Sequence, residues 1–387
     1  MESWHRKLRM GMVGGGEGAF IGGVHRIAAT LDQQVELVAG CFSRDAENTQ
    51  RTGRALYLDS ARCYADHQTM IAREKSLPAE RRIDFVAIVT PNHMHFPIAR
   101  AFLEAGFHVV CDKPMTFNVE EAEELAGVVR RTGRVFGLTH NYTGHPLVRH
   151  ARHLFQSGAL GTVRKAIVEY LQDFLMVPHE KLGHKQAAWR TDPAQSGGGG
   201  SLGDVGSHCL NLLEYVTGDP VCELCADAST FLPDRVLDED VNMLLRFRGG
   251  GKGVLTISQV ATGEENGLTL RVYGSQGAVL WAQENPNVLN VYRYGEPRQV
   301  LTRGQAYLSD QSKASTRIPT GHPEGYYEAF ATIYCGVVQA IRKHIDGQPL
   351  PPEEYDFPTV DDGLRGMRFI QRAVESHQRG AVWMPLA

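Results

Sequence analysis

Residues 8–19 read LRMGMVGGGEGA, an apolar stretch that runs straight into a glycine-rich turn. The apolar stretch predicts a β-strand, and the turn fits the pattern G-x-G-x-x-G/A with Gly14, Gly16 and Ala19. In that pattern the first glycine makes the bend, the second lets a pyrophosphate approach the backbone, and the small third residue lets a helix pack closely. The helix that begins near Phe20 would point its N-terminus at the phosphates. The stretch predicts a dinucleotide-binding turn; a glycine-rich turn without a ligand is the alternative.

Strands and helices alternate beyond this turn. The run Phe85–Val89 is apolar without a break, as expected for a parallel strand that is buried on both faces. Further strands are predicted at residues 35–41, 108–111 and 135–138, and helices at residues 96–105 and 119–131. This alternation predicts an α/β fold with a doubly wound parallel sheet, in which residues 1–142 form a Rossmann dinucleotide-binding domain.

The second part of the chain has a different pattern. Glycines and polar clusters separate a series of short strands, which predicts antiparallel pairs. These strands are predicted at residues 163–171, 241–247, 253–259, 268–273, 278–281 and 288–292, and helices at residues 326–342 and 361–377. A chain of 387 residues is too long for one ordinary core. Residues 143–387 are therefore predicted to form a second domain, which binds substrate.

Composition excludes several classes of protein. The net charge of −4 argues against a nucleic-acid binder, and no apolar run is long enough to span a bilayer. The polar start of the chain, Met1–Arg9, predicts no signal peptide. Seven scattered cysteines fit a reducing compartment, so a cytoplasmic protein is predicted. Cys222 and Cys225 have CxxC spacing, but they lie in a strand-like stretch without a second pair, which argues against a metal site.

The residues after the second predicted strand bear on the cofactor. An NAD site usually has Asp or Glu here for the ribose hydroxyls. This chain has Ser43 and Arg44 instead, and the first carboxylate is Asp45. Because arginine donates two parallel hydrogen bonds to phosphate, Ser43 and Arg44 favour NADP over NAD. Two alternatives stay open: Asp45 could turn toward the ribose, and Arg44 could be a solvated residue at a helix start.

Polar residues also follow the buried strand that ends at Val89. Thr90, Asn92 and His95 lie where the carboxyl edge of a parallel sheet binds ligands, so they are predicted neighbours of the cofactor. The alternative for His95 is a helix-terminal residue that caps its own backbone.

Two further motifs, Asp112-Lys113-Pro114 and Gly203-Asp204-x-Gly206-x-His208, complete a recognisable set. Together with Gly14-x-Gly16-x-x-Ala19 and Thr90-Pro91-Asn92-x-x-His95, they stand in the order and spacing of one family. The chain resembles the glucose–fructose oxidoreductase, inositol dehydrogenase and rhizopine-catabolism (Gfo/Idh/MocA) family over nearly its whole length. Lys113 matches the lysine of the family's Glu-Lys-Pro motif, although the preceding acid here is Asp112 rather than glutamate.

The resemblance implies an architecture and a set of substrate contacts. It implies an N-terminal Rossmann domain followed by an α+β domain with a large open, mostly antiparallel sheet, which often forms the oligomer interface. A homodimer or homotetramer and an active site between the domains are expected on the same ground. Asn141 and Tyr142 resemble one segment that lines the family's substrate cleft, and Trp189 and Arg190 resemble another.

The chemistry of an alcohol dehydrogenase suits the matched residues. Oxidation needs a group that takes the hydroxyl proton and a group that stabilises the developing oxyanion. We assign His208 as the general base, because an imidazole titrates near neutral pH. Asp204 lies four residues earlier, so on a helix both side chains share a face, and Asp204 would orient His208 or bind a substrate hydroxyl. Lys113, which follows a strand, would reach the reacting oxygen and the cofactor.

Each assignment has a structural alternative. Lys113 could be a solvated lysine, Asp204 could cap the helix that follows it, and His208 could be a satisfied core histidine. His322, in a polar segment before a helix, is a candidate substrate contact or an ordinary loop residue. The closely spaced histidines at 140, 145, 150 and 153 have no carboxylate or thiol beside them, so no metal is predicted.

The sequence therefore predicts an NAD(P)-dependent dehydrogenase that oxidises or reduces a secondary hydroxyl or carbonyl of a sugar, an inositol-like polyol or a glycoside. Its expected partners are a small carbohydrate or polyol and other copies of itself, and not nucleic acid or membrane. Two alternatives remain. One is a glycoside-cleaving relative that oxidises the sugar transiently, and the other is a dinucleotide-sensing regulator without catalysis.

Overall fold

Five parallel strands follow the alternation predicted for the first part of the chain, in a computed structural model that describes residues 6–183 and 185–386 (backbone alone at 185 and 186). The strands are β1 (Leu8–Gly14), β2 (Val35–Cys41), β3 (Phe85–Val89), β4 (His108–Cys111) and β5 (Phe136–Leu138). They lie in the order β2-β1-β3-β4-β5, and every neighbouring pair is parallel. All side chains of β3 are buried. The predicted Rossmann-type sheet is confirmed. Residues 1–5 of the polar N-terminal segment lie outside the described residues.

Helices connect these strands. They are α1 (Phe20–Leu31), α2 (Ala46–Ala55), α3 (His67–Ser76), α4 (His95–Glu104) and α5 (Val119–Thr132). Helix α5 shows why the boundaries fall where they do. The side chain of Asn118 accepts a hydrogen bond from the backbone N–H of Glu121 at 2.8 Å, which starts the helix. Gly133, with φ of +62°, ends it in a left-handed conformation that suits glycine.

A nine-stranded sheet dominates the second part of the chain. Its strands are β6 (Val163–Leu171), β7 (Val221–Ser229), β8 (Asp240–Phe247), β9 (Lys252–Ser258), β10 (Gly267–Gly274), β11 (Gly277–Ala282), β12 (Val288–Arg293), β13 (Gln299–Thr302) and β14 (Met384–Pro385). The order is β13-β12-β11-β10-β6-β9-β8-β7-β14. Only the pair of β6 and β9 is parallel among these strands. The predicted large, mostly antiparallel sheet is confirmed.

The helices of this part are α6 (Pro146–Gln156), α7 (Lys185–Arg190), α8 (Pro193–Ser196), α9 (Ser207–Thr217), α10 (Asp310–Ala314), α11 (Tyr326–Ile345) and α12 (Val360–Gln378). Helices α6 and α9 contact each other and pack on the sheet. Along β8, Val241, Met243 and Leu245 are buried, whereas Asn242 and Leu244 are exposed. The alternation means that the sheet has one covered face and one open face.

The chain divides into two compact units whose membership is not continuous in sequence. One unit comprises the chain up to Thr139 together with Phe330–Leu364, and the other comprises His140–Ala329 and the chain from Arg365 onward. Helices α11 and α12 therefore each contribute residues to both units. The domain boundary after residue 142 stays a prediction. Within residues 6–183 and 185–386, no helix is both long and apolar enough to cross a membrane.

Candidate active site

The glycine turn between β1 and α1 is shaped by close backbone contacts. Gly14 has φ of +85°, and a Cβ there would lie 2.8 Å from the carbonyl oxygen of Val89. A Cβ on Gly22 would lie 2.3 Å from the Cα of Gly15, nearer than real Cβ atoms come. The closest approach of helix and turn is thus between Gly15 and Gly22, beyond Ala19. Sequence reasoning missed Gly22, although a small residue near the start of the helix after such a turn indicates close packing of helix and strand.

The N-terminus of α1 is open to a ligand. Ala19 precedes the helix, no described side chain caps it, and its first turn carries no acidic residue. On the other side of the turn, the N–H of Glu17 donates to Thr52 Oγ1 at 3.0 Å, which ties the turn to α2. Phe20 is 66% exposed. Uncapped N–H groups and the helix dipole attract anions, so these residues fit the pyrophosphate of a dinucleotide.

The segment after β2 is held by its own hydrogen bonds. Ser43 Oγ accepts from the N–H of Asp45 at 3.1 Å, and Asp45 Oδ1 accepts from the N–H of Glu47 at 2.9 Å. Asp45 is therefore the N-cap of α2, and turning it toward a ribose would sacrifice a cap worth roughly 0.5–2 kcal/mol. The side chain of Arg44 is exposed.

His95 joins two loops at the carboxyl edge of the parallel sheet. Its Nδ1 lies 2.7 Å from the carbonyl oxygen of Pro114, and its Nε2 lies 2.8 Å from that of Thr90. Burial lowers the pKa of His95, although both carbonyls and Asp112 favour its charged form. The side chain does not cap its own helix, since neither bond goes to a helix-start N–H. Asn92 is buried on the same loop. Contact of these residues with a cofactor stays a prediction.

The side chain of Asp112 contacts the backbone of Lys113. Its Oδ1 accepts from the N–H of Lys113 at 3.0 Å and from Thr139 Oγ1 at 2.8 Å. Burial opposes its ionisation, but His25, Lys113 and His95 outweigh burial and hold the pKa of the Asp112 carboxyl well below its usual range. The Lys113–Pro114 peptide bond is cis. The acid of this motif is therefore an anion that anchors the lysine's backbone.

In the second unit, Asp204 lies in a stretch of π-helix, Leu202–Gly206, that leads into α9. Its Oδ2 accepts from Gln259 Nε2 at 2.9 Å and from Arg190 Nε at 3.3 Å. Asp204 is not the cap of this helix. Asp238 has that role, because its two carboxylate oxygens accept from the N–H groups of Gly200 and Leu202, each at 2.7 Å. The π-helical turn also changes the simple four-residue alignment with His208.

His208 is buried at the start of α9 beside two rings. Its Nδ1 lies 3.4 Å from Nδ1 of His140, and its ring lies edge-on to that of Tyr142 with centroids 4.8 Å apart. The hydroxyl of Tyr142 is 2.6 Å from that of Tyr170. Burial raises the pKa of Tyr142 to about 12, so the phenol stays neutral near pH 7. Asn141, next to Tyr142, is also buried.

One hydrogen-bond network joins Asp204 to Tyr142. Gln259 Nε2 also donates to Gln172 Oε1 at 3.1 Å, and Gln172 Nε2 and the Tyr170 hydroxyl each donate to Asn266 Oδ1 at 2.7 Å. We call this set the polar network; its members are Tyr142, Tyr170, Gln172, Asp204, Gln259 and Asn266. Sequence reasoning missed Tyr170, Gln172, Gln259, Asn266 and also His140. Their only signal is a polar residue at or beyond the end of an apolar strand.

Register explains why the polar network converges. Leu171, the last residue of β6, pairs with Ser258, the last of β9, and with Gly267, the first of β10. The residues that flank these three positions therefore lie at one edge of the sheet. Arg190, which donates to Asp204, stacks its guanidinium 4.4 Å from the ring centroid of Trp189.

His322 lies in a loop organised by a buried ion pair. Arg303 Nη1 donates to Glu324 Oε1 at 2.8 Å, and Arg303 also donates to the carbonyl oxygen of His322. The side chain of His322 is exposed. From the same segment it is Tyr326 whose ring approaches Tyr142, with centroids 6.4 Å apart. A substrate contact by His322 stays a prediction.

The cysteines and metal-type side chains form no cluster in the described part of the chain. Cys222 Sγ donates to the carbonyl of Arg246, and Cys225 Sγ donates to that of Ala381. Among residues 6–183 and 185–386, no three His, Cys, Asp or Glu side chains are grouped as metal ligands would be.

Similarity to known proteins identifies the family. The profile described as "Oxidoreductase family, NAD-binding Rossmann fold" matches residues 8–140, and the GFO/IDH/MocA C-terminal domain profile matches residues 148–280. The uncharacterized oxidoreductase YfiI of Bacillus subtilis (strain 168) is 34% identical over 98% of this chain and 97% of its own.

Solved structures agree over the full length. An inositol dehydrogenase homolog from Azotobacter vinelandii, complexed with NAD+, has a TM-score of 0.94 and 37% identity, with 98% of both chains covered. Its complex with NADH and myo-inositol has a TM-score of 0.92 and 36% identity, again with 98% of both chains covered. An oxidoreductase from Sinorhizobium meliloti is 44% identical, with a TM-score of 0.87 over 98% of this chain and 100% of that one. The chain therefore belongs to the GFO/IDH/MocA family of oxidoreductases, with the family's NAD-binding Rossmann fold and C-terminal domain.

Proposed function

We propose that the chain is an NAD(P)-dependent dehydrogenase of a secondary hydroxyl on an inositol-like polyol, a sugar or a glycoside. The observation that carries the proposal is the polar network, which leads from Asp204 to the rings beside His208. Amides, phenols and a carboxylate in one place suit a ligand with several hydroxyl groups, because each hydroxyl needs a partner when it leaves water. The complex of a relative with myo-inositol supports this substrate class.

In this proposal His208 takes the hydroxyl proton on Nε2 during oxidation and returns it during reduction. Its Nδ1 faces Nδ1 of His140 at 3.4 Å, so the contact with His140 orients the ring and leaves Nε2 as the proton-accepting atom. Asp204, oriented by Arg190 and Gln259, accepts a hydrogen bond from a neighbouring substrate hydroxyl. Asn141, Tyr142, Trp189 and Arg190 bound the substrate. These roles match those that the sequence predicts.

We assign Lys113 to the same reaction. Its ammonium stabilises the oxyanion that develops on the substrate, and its backbone is anchored by Asp112. The dinucleotide, when bound, supplies the hydride-transfer chemistry. Its pyrophosphate would be held at the start of α1 by Gly14, Gly16, Ala19 and Phe20. Ser43 and Arg44 would determine whether NAD or NADP binds. Thr90, Asn92 and His95 would complete the cofactor side.

The test is net reduction of NAD+ and of NADP+ by the purified protein across inositols, aldoses and glycosides. We expect turnover with one substrate class. His208→Gln should lower kcat by about 10²–10⁴-fold, the usual loss when a general base is removed. Lys113→Ala should also lower kcat. His150→Gln is the matched control, because this buried histidine of α6 accepts a hydrogen bond from the backbone N–H of Ser309.

Other results would favour other functions. Sugar release from a glycoside without net cofactor reduction would indicate the glycoside-cleaving alternative. Tight dinucleotide binding with neither activity would indicate a sensor. Equal losses in His208→Gln and His150→Gln would remove His208 from the chemistry.

We also propose that the protein is a cytoplasmic homodimer or homotetramer. Leu244 and Tyr273 are exposed large apolar residues on strands β8 and β10, and such residues on an open sheet face support self-association. Light scattering during size-exclusion chromatography tests the oligomeric state, and a monomer at micromolar concentration would contradict it.

A further inference from the structure

His25 is a fully buried histidine that the proposed reaction does not use. It lies on α1, one and a half turns after the glycine turn, and its side chain is inaccessible to solvent. Its Nδ1 is 2.8 Å from the hydroxyl of Tyr334 on α11. Its Nε2 is 3.8 Å from Asp112 Oδ1 and has no hydrogen-bond partner among the described residues. The rings of Phe330 and Tyr334 meet that of His25 edge-on.

This position places His25 against the anion that anchors Lys113. The two hydrogen bonds to Asp112 Oδ1 come from Lys113 N–H and Thr139 Oγ1. Both are neutral donors, and a carboxylate whose side chain is only 14% exposed gains from a further donor. Titratable groups from four directions face Asp112: His25 on α1, His95 on α4, Tyr334 on α11, and its chain neighbours Cys111 and Lys113. Of these groups, His25 has a buried ring nitrogen, Nε2, that makes no hydrogen bond to any described residue.

We propose that His25 and Tyr334 are positioning residues for Lys113. The Tyr334 hydroxyl donates to His25 Nδ1, which leaves the proton on Nε2 directed at Asp112. The charge of Asp112 is thereby maintained, and Asp112 in turn fixes the backbone N–H of Lys113. This inference rests on the proposed function for the role of Lys113 in catalysis. His25 and Tyr334 are both buried, so in this proposal they act through Asp112 and not by contact with substrate or cofactor.

The contact between His25 and Tyr334 also explains why the segment Phe330–Leu364 belongs to the first unit. Tyr334 lies more than 300 residues after His25 in the chain, yet both are in the unit that contains the glycine turn. Burial raises the pKa of Tyr334 well above its ordinary value, so its hydroxyl keeps its proton and can serve as the donor. A phenylalanine could fill the same space, but it could not select the tautomer of His25.

The first experiment compares kcat, KM and the pH profile of His25→Phe and His25→Gln with wild type. His25→Phe should lower kcat about tenfold or more with little change in KM, since about 1.4 kcal/mol of lost electrostatic support corresponds to a factor of ten. The acid limb of its kcat profile should move to higher pH, because Asp112 then accepts a proton more readily. His25→Gln keeps an N–H donor at a similar reach and should recover most of the activity. Tyr334→Phe should have a smaller effect.

His108→Phe is the matched control. His108 is also a buried histidine of the parallel sheet, but it begins β4, whereas Asp112 follows the other end of that strand. Loss of stability alone would affect both histidine variants alike. A shift of the acid limb that appears equally in His25→Phe and His108→Phe would overturn the proposal.

Two double-mutant cycles test the proposal without turnover. Combining His25→Phe with Asp112→Asn should show coupling of at least about threefold in the unfolding equilibrium constant, as contacting residues do. The cycle of His108→Phe with Asp112→Asn should show none. In NADH titrations, the effect of His25→Phe should disappear in a Lys113→Ala background.

Different outcomes would contradict the proposed function and the positioning role of His25. Absence of turnover and of NADH binding in wild type would contradict the proposed function, while the unfolding cycle would still test the link between His25 and Asp112. Coupling no larger than in the His108 cycle, or an undiminished His25→Phe effect in the Lys113→Ala background, would overturn the positioning role.

Discussion

The glycine turn of the first unit and the polar network of the second are assembled in different ways. The turn uses residues 14–22, and its decisive contacts are between backbone atoms, those of Gly15 with Gly22 and of Gly14 with Val89. The polar network draws on residues between 142 and 266, and its contacts are between side chains. The first can be recognised from a short stretch of sequence, whereas the second depends on the pairing of three strands. A substitution in the turn should therefore affect only its immediate contacts, whereas a substitution in the polar network should affect several of its hydrogen bonds together.

The largest expected effect is acid destabilisation by buried neutral histidines, which both units contain. Burial lowers the pKa of His108 and of His145 to about 3, and that of His150 to about 4. Below the unfolded value of about 6.5 the unfolded chain binds protons that the folded protein does not. Stability should thus fall from pH 6.5 toward pH 4, by up to about 1.4 kcal/mol per pH unit for each histidine.

Urea unfolding at a series of pH values measures this slope. His145→Phe, which removes a histidine packed against Trp281, should reduce the slope by about one histidine's share, whereas replacing the exposed His322 by Phe should leave it unchanged. An identical slope in wild type and His145→Phe would show that this ring is not the source.

The next effect tests whether the polar network acts as a unit. Gln259→Leu removes the amide that donates to both Asp204 and Gln172. Hydrogen bonds to charged groups are worth about 1.5–3 kcal/mol, so kcat/KM should fall by about 10–100-fold. Gln299→Leu, an exposed glutamine on the edge strand β13, is the control and should be neutral. If Gln259→Leu and Arg190→Leu have strictly additive effects, Asp204 is not held jointly by both residues.

A pair of neighbouring glycines tests the local character of the turn. Gly22→Ala places a Cβ against Gly15 and should destabilise the protein by about 1–3 kcal/mol, as overpacking does, and weaken NADH binding. Gly23→Ala meets only the tip of Arg26, at 3.9 Å, and should stabilise α1 by up to about 1 kcal/mol. Thermal unfolding and NADH titration measure both variants. Equal behaviour of the two would contradict the close contact at Gly22.

The smallest effect concerns cofactor choice. Arg44→Ala removes an exposed guanidinium next to Ser43 and should weaken NADPH binding by about tenfold, the loss of roughly one charged hydrogen bond, with little change for NADH. Fluorescence titration with each dinucleotide gives the two dissociation constants. Equal losses for both dinucleotides would show that Arg44 does not recognise a 2′-phosphate, and the preference for NADP would then lose its support.

Particular residues show how far sequence reasoning reached. The parallel sheet was predicted because alternating apolar and glycine-rich stretches report on backbone geometry directly. The family and the large antiparallel sheet were predicted from the resemblance of four motifs to the family's pattern. The roles of Lys113, Asp204 and His208 stay predictions. The alternative that Asp204 caps its helix is not what the structure shows, since Asp238 has that role. Local spacing could not separate these possibilities, because Asp238 lies 36 residues after Leu202, whose N–H it caps, and leaves no mark near the helix.

The sequence by itself determined the identity of the family, the order of strands and helices around the glycine turn, and the residue types available for proton transfer. The order of strands and helices depends on contacts within about ten residues of the chain, where periodicity and glycine positions report the conformation. The family follows from the resemblance of its motifs, which needs only their order and spacing. Only the tertiary structure decided that Tyr334 contacts His25 and that His25 lies against the acid beside Lys113. It also decided that Gln172, Gln259 and Asn266 meet at one sheet edge. The physical reason is that these side chains are far apart in sequence. The network forms only when β6, β9 and β10 pair in the observed register, and the contact with His25 forms only because most of α11 belongs to the first unit.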